Sequence, residues 1–177
     1  SLDSIELSEQ SILPVSAEID DLFNTFSQNF YAIAVRDTAF FSWRFQQSAN
    51  DYRYIWARSE GRLVGYMIYR EGSVGGRKTL LVVETMAIGK QAQCYGAMLE
   101  QVCQYGLANG FSDLQTLTSG CTSFLKALQQ LGAVLKVEEV NQIAYIHSDK
   151  AHATEMYNKK KWFMSMAEAD HEFVMFK

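Results

Sequence analysis

Two neighbouring stretches carry the residue types best suited to chemistry. In LLVVETMAI (80–88), Glu84 is the one acid within an otherwise apolar, strand-like run. Burial disfavours the charged form of a carboxyl group and raises its proton affinity toward the range a general base needs. The structural alternative is that Glu84 faces the solvent side of a sheet or pairs with an arginine such as Arg77. The next stretch, AIGKQAQCYGAMLEQV (87–102), passes from the strand end through a short polar turn into an amphipathic helix. A helix starting directly after a strand offers unpaired N–H groups and the positive end of its dipole, which can hold a pyrophosphate without a lysine. The backbone must approach such a ligand closely, and Gly96 and Ala97 are small enough to allow it. The alternative is an ordinary turn before a helix.

Cys94, in the first turn of that helix, has two readings as well. The dipole would lower its thiol pKa and make it reactive, or it is a small residue partly filling the loop, with no nearby histidine in sequence to serve as its base. Upstream, FFSWRF (40–45) holds more aromatic surface than one short helix needs, so Phe41 and Trp43 could wall a pocket. Arg44 among them would bind an anionic group, or stack on an aromatic ring and pair with an acid as a clasp.

These residues need elements to position them. Ser16 is placed to cap a helix carrying Ile19, Leu22, Phe23, Phe26 and Phe30 on one face, and Asp37 to cap a second helix over TAFFSWRF. From Tyr52 the pattern changes to YRYIWARS, LVGYMIYR and KTLLVVETMAI, separated by EGR and EGSVGGR. That predicts a three-stranded antiparallel meander whose third strand is covered on both faces. A helix is expected from Gln93 to Asn109, with Leu99, Val102, Cys103 and Leu107 inward and Gly110 at its end. Then come a strand in SDLQTLTS, a helix in CTSFLKALQQLG, a strand in NQIAYIH, and one or two strands in KWFMSMAEADHEFVMF. The order implies an α/β layered domain with a mixed sheet and helices on both faces.

The composition excludes several classes. The 177 residues are 48% apolar with a single proline, Pro14, and contain no linker or repeat, which fits one domain over 1–177. A net charge of -4 and one short basic run, NKKKW, argue against nucleic acid. Neither Cys94, Cys103 and Cys121 nor His147, His152 and His171 have metal-ligand spacing, so no metal is expected, and three cysteines suit a reducing, cytoplasmic setting. No apolar run is long enough to cross a bilayer.

The order of elements and QAQCYGAML together resemble the GNAT superfamily of coenzyme A-dependent N-acyltransferases. The family's pyrophosphate loop has Gln or Arg, two variable residues, Gly, one variable residue, then Gly or Ala, with leucine three residues later. Gln91, Gly96 and Leu99 match, and Cys94 stands where the first glycine belongs. The resemblance implies a mostly antiparallel twisted sheet and transfer of an acetyl or other acyl group from acyl-CoA to an amine of a small molecule or peptide. It implies Glu84 as base, with coenzyme contacts from Met86, Ile88, Gln91, Cys94, Tyr95, Gly96 and Ala97, and acceptor contacts from Phe41, Trp43 and Arg44. The family's acid tyrosine, four residues before a helix-closing glycine, is replaced by Leu128. A catalytically inactive GNAT-like binding or scaffolding domain is therefore the alternative implication. A narrower likeness, Trp43-Arg44-Phe45 with Trp162, Glu168 and Asp170, is to GNAT-like domains associated with bacterial surface-polysaccharide biosynthesis. It implies a second GNAT-like domain, or a homodimer, as partner.

Overall fold

The computed structural model describes residues 4–11, 16–30, 32–134 and 162–168. Strand β1 (Ile5–Gln10) leads into helix α1 (Ala17–Ser27), the short β2 (Ala32–Ile33) and helix α2 (Thr38–Phe41), which continues as one π-helical turn over Ser42–Gln46. The meander follows as β3 (Tyr52–Ser59), β4 (Arg62–Val74) and β5 (Arg77–Ala87). Helix α3 (Gln91–Ala108), β6 (Asp113–Thr116), β7 (Thr118–Ser119), α4 (Thr122–Gln130) and β8 (Trp162–Ser165) complete the described elements.

Five strands form one sheet in the order β1-β3-β4-β5-β6, antiparallel except for the parallel pair β5 and β6. The two meander turns are two-residue loops, Glu60-Gly61 and Gly75-Gly76, in which all four residues have positive φ. That conformation matches the right-handed twist of the flanking strands, and glycine adopts it without steric cost. The strand β1 is absent from the sequence-based expectation, because only Ile5 and Leu7 mark its apolar alternation and Glu9 interrupts it. Its outer residues stay exposed and its inner ones are half-buried, as befits an edge strand.

Side chains from alternate positions face two helical layers. Gly65 sits against α3, where a Cβ would meet the Cys94 thiol at 2.8 Å, and Gly106 of α3 lies over Leu80 in the same way at 3.0 Å. On the other face Phe41 meets Tyr66 edge to face at 5.1 Å. Helices thus cover both faces, and Leu80–Val83 are buried between them. Helix α3 begins two residues earlier than its periodicity predicts. Leu107 is 80% exposed rather than inward, because Gly106 occupies the sheet-facing position and the next residue turns about 100° away. Ser16 makes no side-chain cap. Asp37 does cap α2, accepting the Phe40 amide at 2.8 Å, and Asp20 of α1 accepts the amide and hydroxyl of Thr38, each at 2.8 Å.

A smaller sheet, β2-β8-β7, packs beside β5. Gly120 permits it: with φ +76°, its Cα lies so close to β8 that a Cβ would overlap the Trp162 carbonyl. The predicted strand NQIAYIH, His147, His152, His171, Tyr145, Tyr157 and the tail after Glu168 lie outside the described residues. Among the described residues no helix is long and apolar enough to cross a membrane, and no three His, Cys, Asp or Glu cluster as metal ligands.

Edge strand β1 is fastened by Glu9, whose carboxylate accepts bonds from Arg53 Nε (2.7 Å), the Tyr69 hydroxyl (2.8 Å) and Gln101 Nε2 (3.0 Å). Burial alone would raise the Glu9 carboxyl, but the bonds from Tyr69, Arg53 and Gln101 together outweigh it and hold it below the ordinary value. A depressed carboxyl stabilises the fold above its unfolded-state value and loses that contribution as pH falls through the folded-state value. Since Arg53 is partly exposed, the effect is about 1 kcal/mol at most. Glu9→Gln should therefore lower Tm by about 2–4 °C at pH 7, and the gap to the parent protein should close as pH falls below 4.5 in thermal melts.

Candidate active site

The site begins where two strands part. The parallel pairing of β5 with β6 runs from Thr79–Asp113 to Val82–Thr116, where the Thr116 hydroxyl also donates to the Val82 carbonyl at 2.9 Å. Beyond it β5 continues to Ala87, paired on its other side with β4. A bond from the Ile88 amide to the Val64 carbonyl (2.9 Å) sets the phase of that end. In an antiparallel ladder alternate residues turn their backbone groups to opposite edges. Glu84, Met86 and Ile88 direct theirs to β4, and Thr85 and Ala87 direct theirs to the edge that β6 has left. Two internal acceptors reach those amides: Thr85 N–H donates to Glu84 Oε1 at 3.0 Å, and the Ala87 backbone donates to the Tyr95 hydroxyl.

Glu84 is on the α2 face because β5 carries an extra residue opposite Ile68 and Tyr69, which pair with Glu84 and Val82. This bulge at Val83 re-aims the side chains that follow it. The carboxylate is fully buried, and Oε2 accepts from Arg36 Nε at 3.1 Å and from the Ser165 hydroxyl at 2.6 Å. Arg36 itself is fully buried, donates Nη1 to the Ala34 carbonyl at 2.6 Å, and lies over the rings of Phe40 and Phe163 at 5.5 and 5.3 Å. Charges removed from water persist when each is paired and hydrogen-bonded, and these two are. The expected partner Arg77 instead pairs with Asp113 at 3.2 Å.

Three residues then lead to α3. Gly89 has φ +65°, turning the chain out of β5, and the helix starts at Gln91. Cys94 points inward onto Gly65, and burial pushes its thiol up to about 12. The dipole-activated reading is overturned, since desolvation in the core outweighs the dipole. The inward direction also means that the missing glycine does not obstruct the outer side of the turn. Tyr95 is buried too, against Phe124 and within 3.4 Å of the Cys121 thiol, which donates to its hydroxyl. Gly96 and Ala97 are half-buried, and a Cβ on Gly96 would meet nothing within 4 Å. Met86 is buried and Ile88 half-buried.

Of the expected acceptor contacts, Phe41 is buried and Trp43 is 64% exposed. Arg44 is held as a clasp, donating Nε to the Ala167 carbonyl at 3.1 Å and Nη1 to the Tyr52 hydroxyl at 3.3 Å. Leu128 is buried on α4. Trp162 is half-buried on β8, Glu168 is in the 3-10 turn that follows, and Asp170 lies outside the described residues.

Comparison with solved structures finds the same overall fold in acetyltransferases. A ribosomal-protein-alanine N-acetyltransferase from Brucella melitensis biovar Abortus 2308 superposes with TM-score 0.58 at 15% identity, over 80% of this chain and 100% of its own. An aminoglycoside acetyltransferase from an uncultured soil metagenomic sample gives 0.55 at 18% identity, over 80% and 99% of the two chains. An acetyltransferase of Trypanosoma brucei gives 0.55 at 13% identity, over 80% and 100%. The chain has the GNAT fold. No protein-family model matches the sequence, and neither does any curated protein. At this level of identity the GNAT likeness is one of architecture, and function rests on the site.

Sequence reasoning missed Arg36, Ser165 and Tyr66, all on the GNAT core's α2 face. For Arg36 the available signal was an arginine directly after the apolar run AIAV and before the Asp37 cap. Removing it would leave a buried carboxylate unpaired. Arg36→Met should cost about 3–5 kcal/mol in chemical denaturation, and Arg36→Met/Glu84→Gln should recover much of that loss because the stranded charge is gone. The inward thiol is tested separately: at pH 8 iodoacetamide should leave Cys94 unmodified in the folded protein and label it in urea, as read by peptide mass spectrometry.

Proposed function

We propose that the protein is an acyl-CoA-dependent N-acyltransferase that transfers an acetyl or related acyl group to an amine. The observation that carries the reading is the separation of β5 from β6 after Val82–Thr116, with the outward backbone of Thr85 and Ala87 ending at the N-terminus of α3. An extended amide-containing arm fits such an edge as an added strand, and the first turn of α3 suits a pyrophosphate. The proposed coenzyme contacts are the outward backbone at Thr85 and Ala87, in place of the expected Met86 and Ile88, whose backbone groups turn to β4, with Gln91, the first-turn backbone at Cys94 and Tyr95, and the open surface of Gly96 and Ala97. When bound, acyl-CoA would supply the activated thioester carbon. Among the proposed acceptor contacts, Phe41, Trp43 and Arg44, Trp43 offers the exposed surface.

Glu84 is the proposed base, and the Thr85 amide links it to carbonyl polarisation. That N–H serves one acceptor at a time. Donated to Glu84 Oε1, it is withheld from a thioester carbonyl. Turned to the carbonyl, it stabilises developing negative charge and frees a lone pair on Oε1 for the acceptor's proton. The C–N bond then forms, the C–S bond breaks, and the proton passes from the amine to Glu84. With Leu128 in the acid's place, the thiolate takes its proton from solvent.

A second reading is favoured by the internal acceptors on the Thr85 and Ala87 amides: a GNAT-like domain that keeps the fold and binds or scaffolds without turnover, beside a second such domain or its own copy. Isothermal titration with acetyl-CoA and coenzyme A separates the two. Micromolar binding that disappears in Gly96→Glu, followed by loss of turnover in Glu84→Gln with coenzyme affinity kept within a few-fold, is the expected result. No heat of binding at millimolar ligand would leave the second reading.

A further inference from the structure

Trp56 on β3 and Tyr66 on β4 stand directly opposite each other, with ring centroids 5.9 Å apart. They are 3% and 1% exposed. Tyr54 stacks parallel to Trp56 at 6.3 Å, and Phe41 closes on Tyr66. Within this aromatic enclosure the indole Nε1 and the Tyr66 hydroxyl are both buried with no hydrogen-bond partner among the described residues. Buried polar groups in folded proteins are almost always paired, and two unpaired donors on one cross-strand pair need an explanation. An indole N–H can only donate, so what is missing is an acceptor.

The surroundings restrict its charge. Tyr66 pairs with Met86 across β4 and β5, one row from Glu84. Its hydroxyl is pushed well above the ordinary range, first by burial and then by the Glu84 charge, with Arg36 opposing. A second anion beside that carboxylate is disfavoured. An uncharged oxygen meets no such penalty and can accept from both donors.

We infer that Trp56 Nε1–H and Tyr66 Oη–H form a two-donor subsite for an uncharged oxygen of the acceptor, so that the acceptor is an amine bearing a hydroxyl, ether or carbonyl oxygen near its amino group. The word acceptor rests on the acyltransferase reading. The two donors do not, and a permanently held water is the rival source of the same oxygen.

Deleting a hydroxyl that has no partner in the free protein removes no hydrogen bond. Tyr66→Phe should therefore melt at or above the parent's Tm, whereas a fall of several degrees would show a partner already in place and overturn the proposal. Binding is then measured by ligand-observed NMR without acyl-CoA, using 2-aminoethanol and the similarly sized propylamine. In Tyr66→Phe and Trp56→Phe the 2-aminoethanol Kd should rise about tenfold, the loss expected for one buried hydrogen bond, with propylamine unchanged. Equal binding by parent and Tyr66→Phe, or no binding of 2-aminoethanol by the parent, would overturn it. Discrimination intact but no acetylation of 2-aminoethanol with acetyl-CoA would uphold the subsite and remove the acyltransferase reading.

Discussion

A carboxylate sealed from water needs a permanent counter-charge, and at Glu84 that constraint orders the surrounding structure. Arg36 can reach it only if β2 and the cap of α2 hold the preceding chain against β5, and Ser165 only if β8 lies alongside. The cap at Asp37, the tie from Asp20 to Thr38 and the missing side chain at Gly120 all serve this convergence. The pair adds little net stability over an apolar equivalent, because desolvation offsets most of the attraction. What it does instead is fix which face of β5 carries a charge.

The bulge at Val83 and the departure of β6 act at the same point on β5. One turns a side chain toward α2, and the other opens the backbone next to it. A strand with a neighbour on each side has its backbone groups bonded along both edges. Here the last turn of the sheet leaves Thr85 and Ala87 to find acceptors in Glu84 and Tyr95, so the binding edge and the candidate base are coupled through one backbone amide.

Much of the scaffold was legible in the sequence because its signals are local. Paired turn residues set both meander hairpins, and the spacing of Ile19, Leu22 and Phe26 marked α1. Glu84 stood out as an acid in an apolar strand, but its partner did not, since Arg36 lies 48 residues away and nothing near it in sequence records the encounter. Cys94 was ambiguous for a related reason: the first turn of a helix has no phase until the helix is docked. Its direction is set by Gly65, on another strand. The unpaired donors of Trp56 and Tyr66 were invisible, because their residue types are those of an ordinary aromatic core.

The separations within the Glu84 cluster also order its assembly in time. The meander closes through two-residue turns, and such local contacts form early, whereas contacts between distant segments must first overcome loop-closure entropy. Ser165 is 81 residues from Glu84. During synthesis the chain emerges from its N-terminus, so β3, β4 and β5 are available long before β8. Until β8 arrives, one side of the Glu84 carboxylate is open to water, and the ionised side chain is hydrated at no cost. Its burial is a late event in the life of the nascent chain.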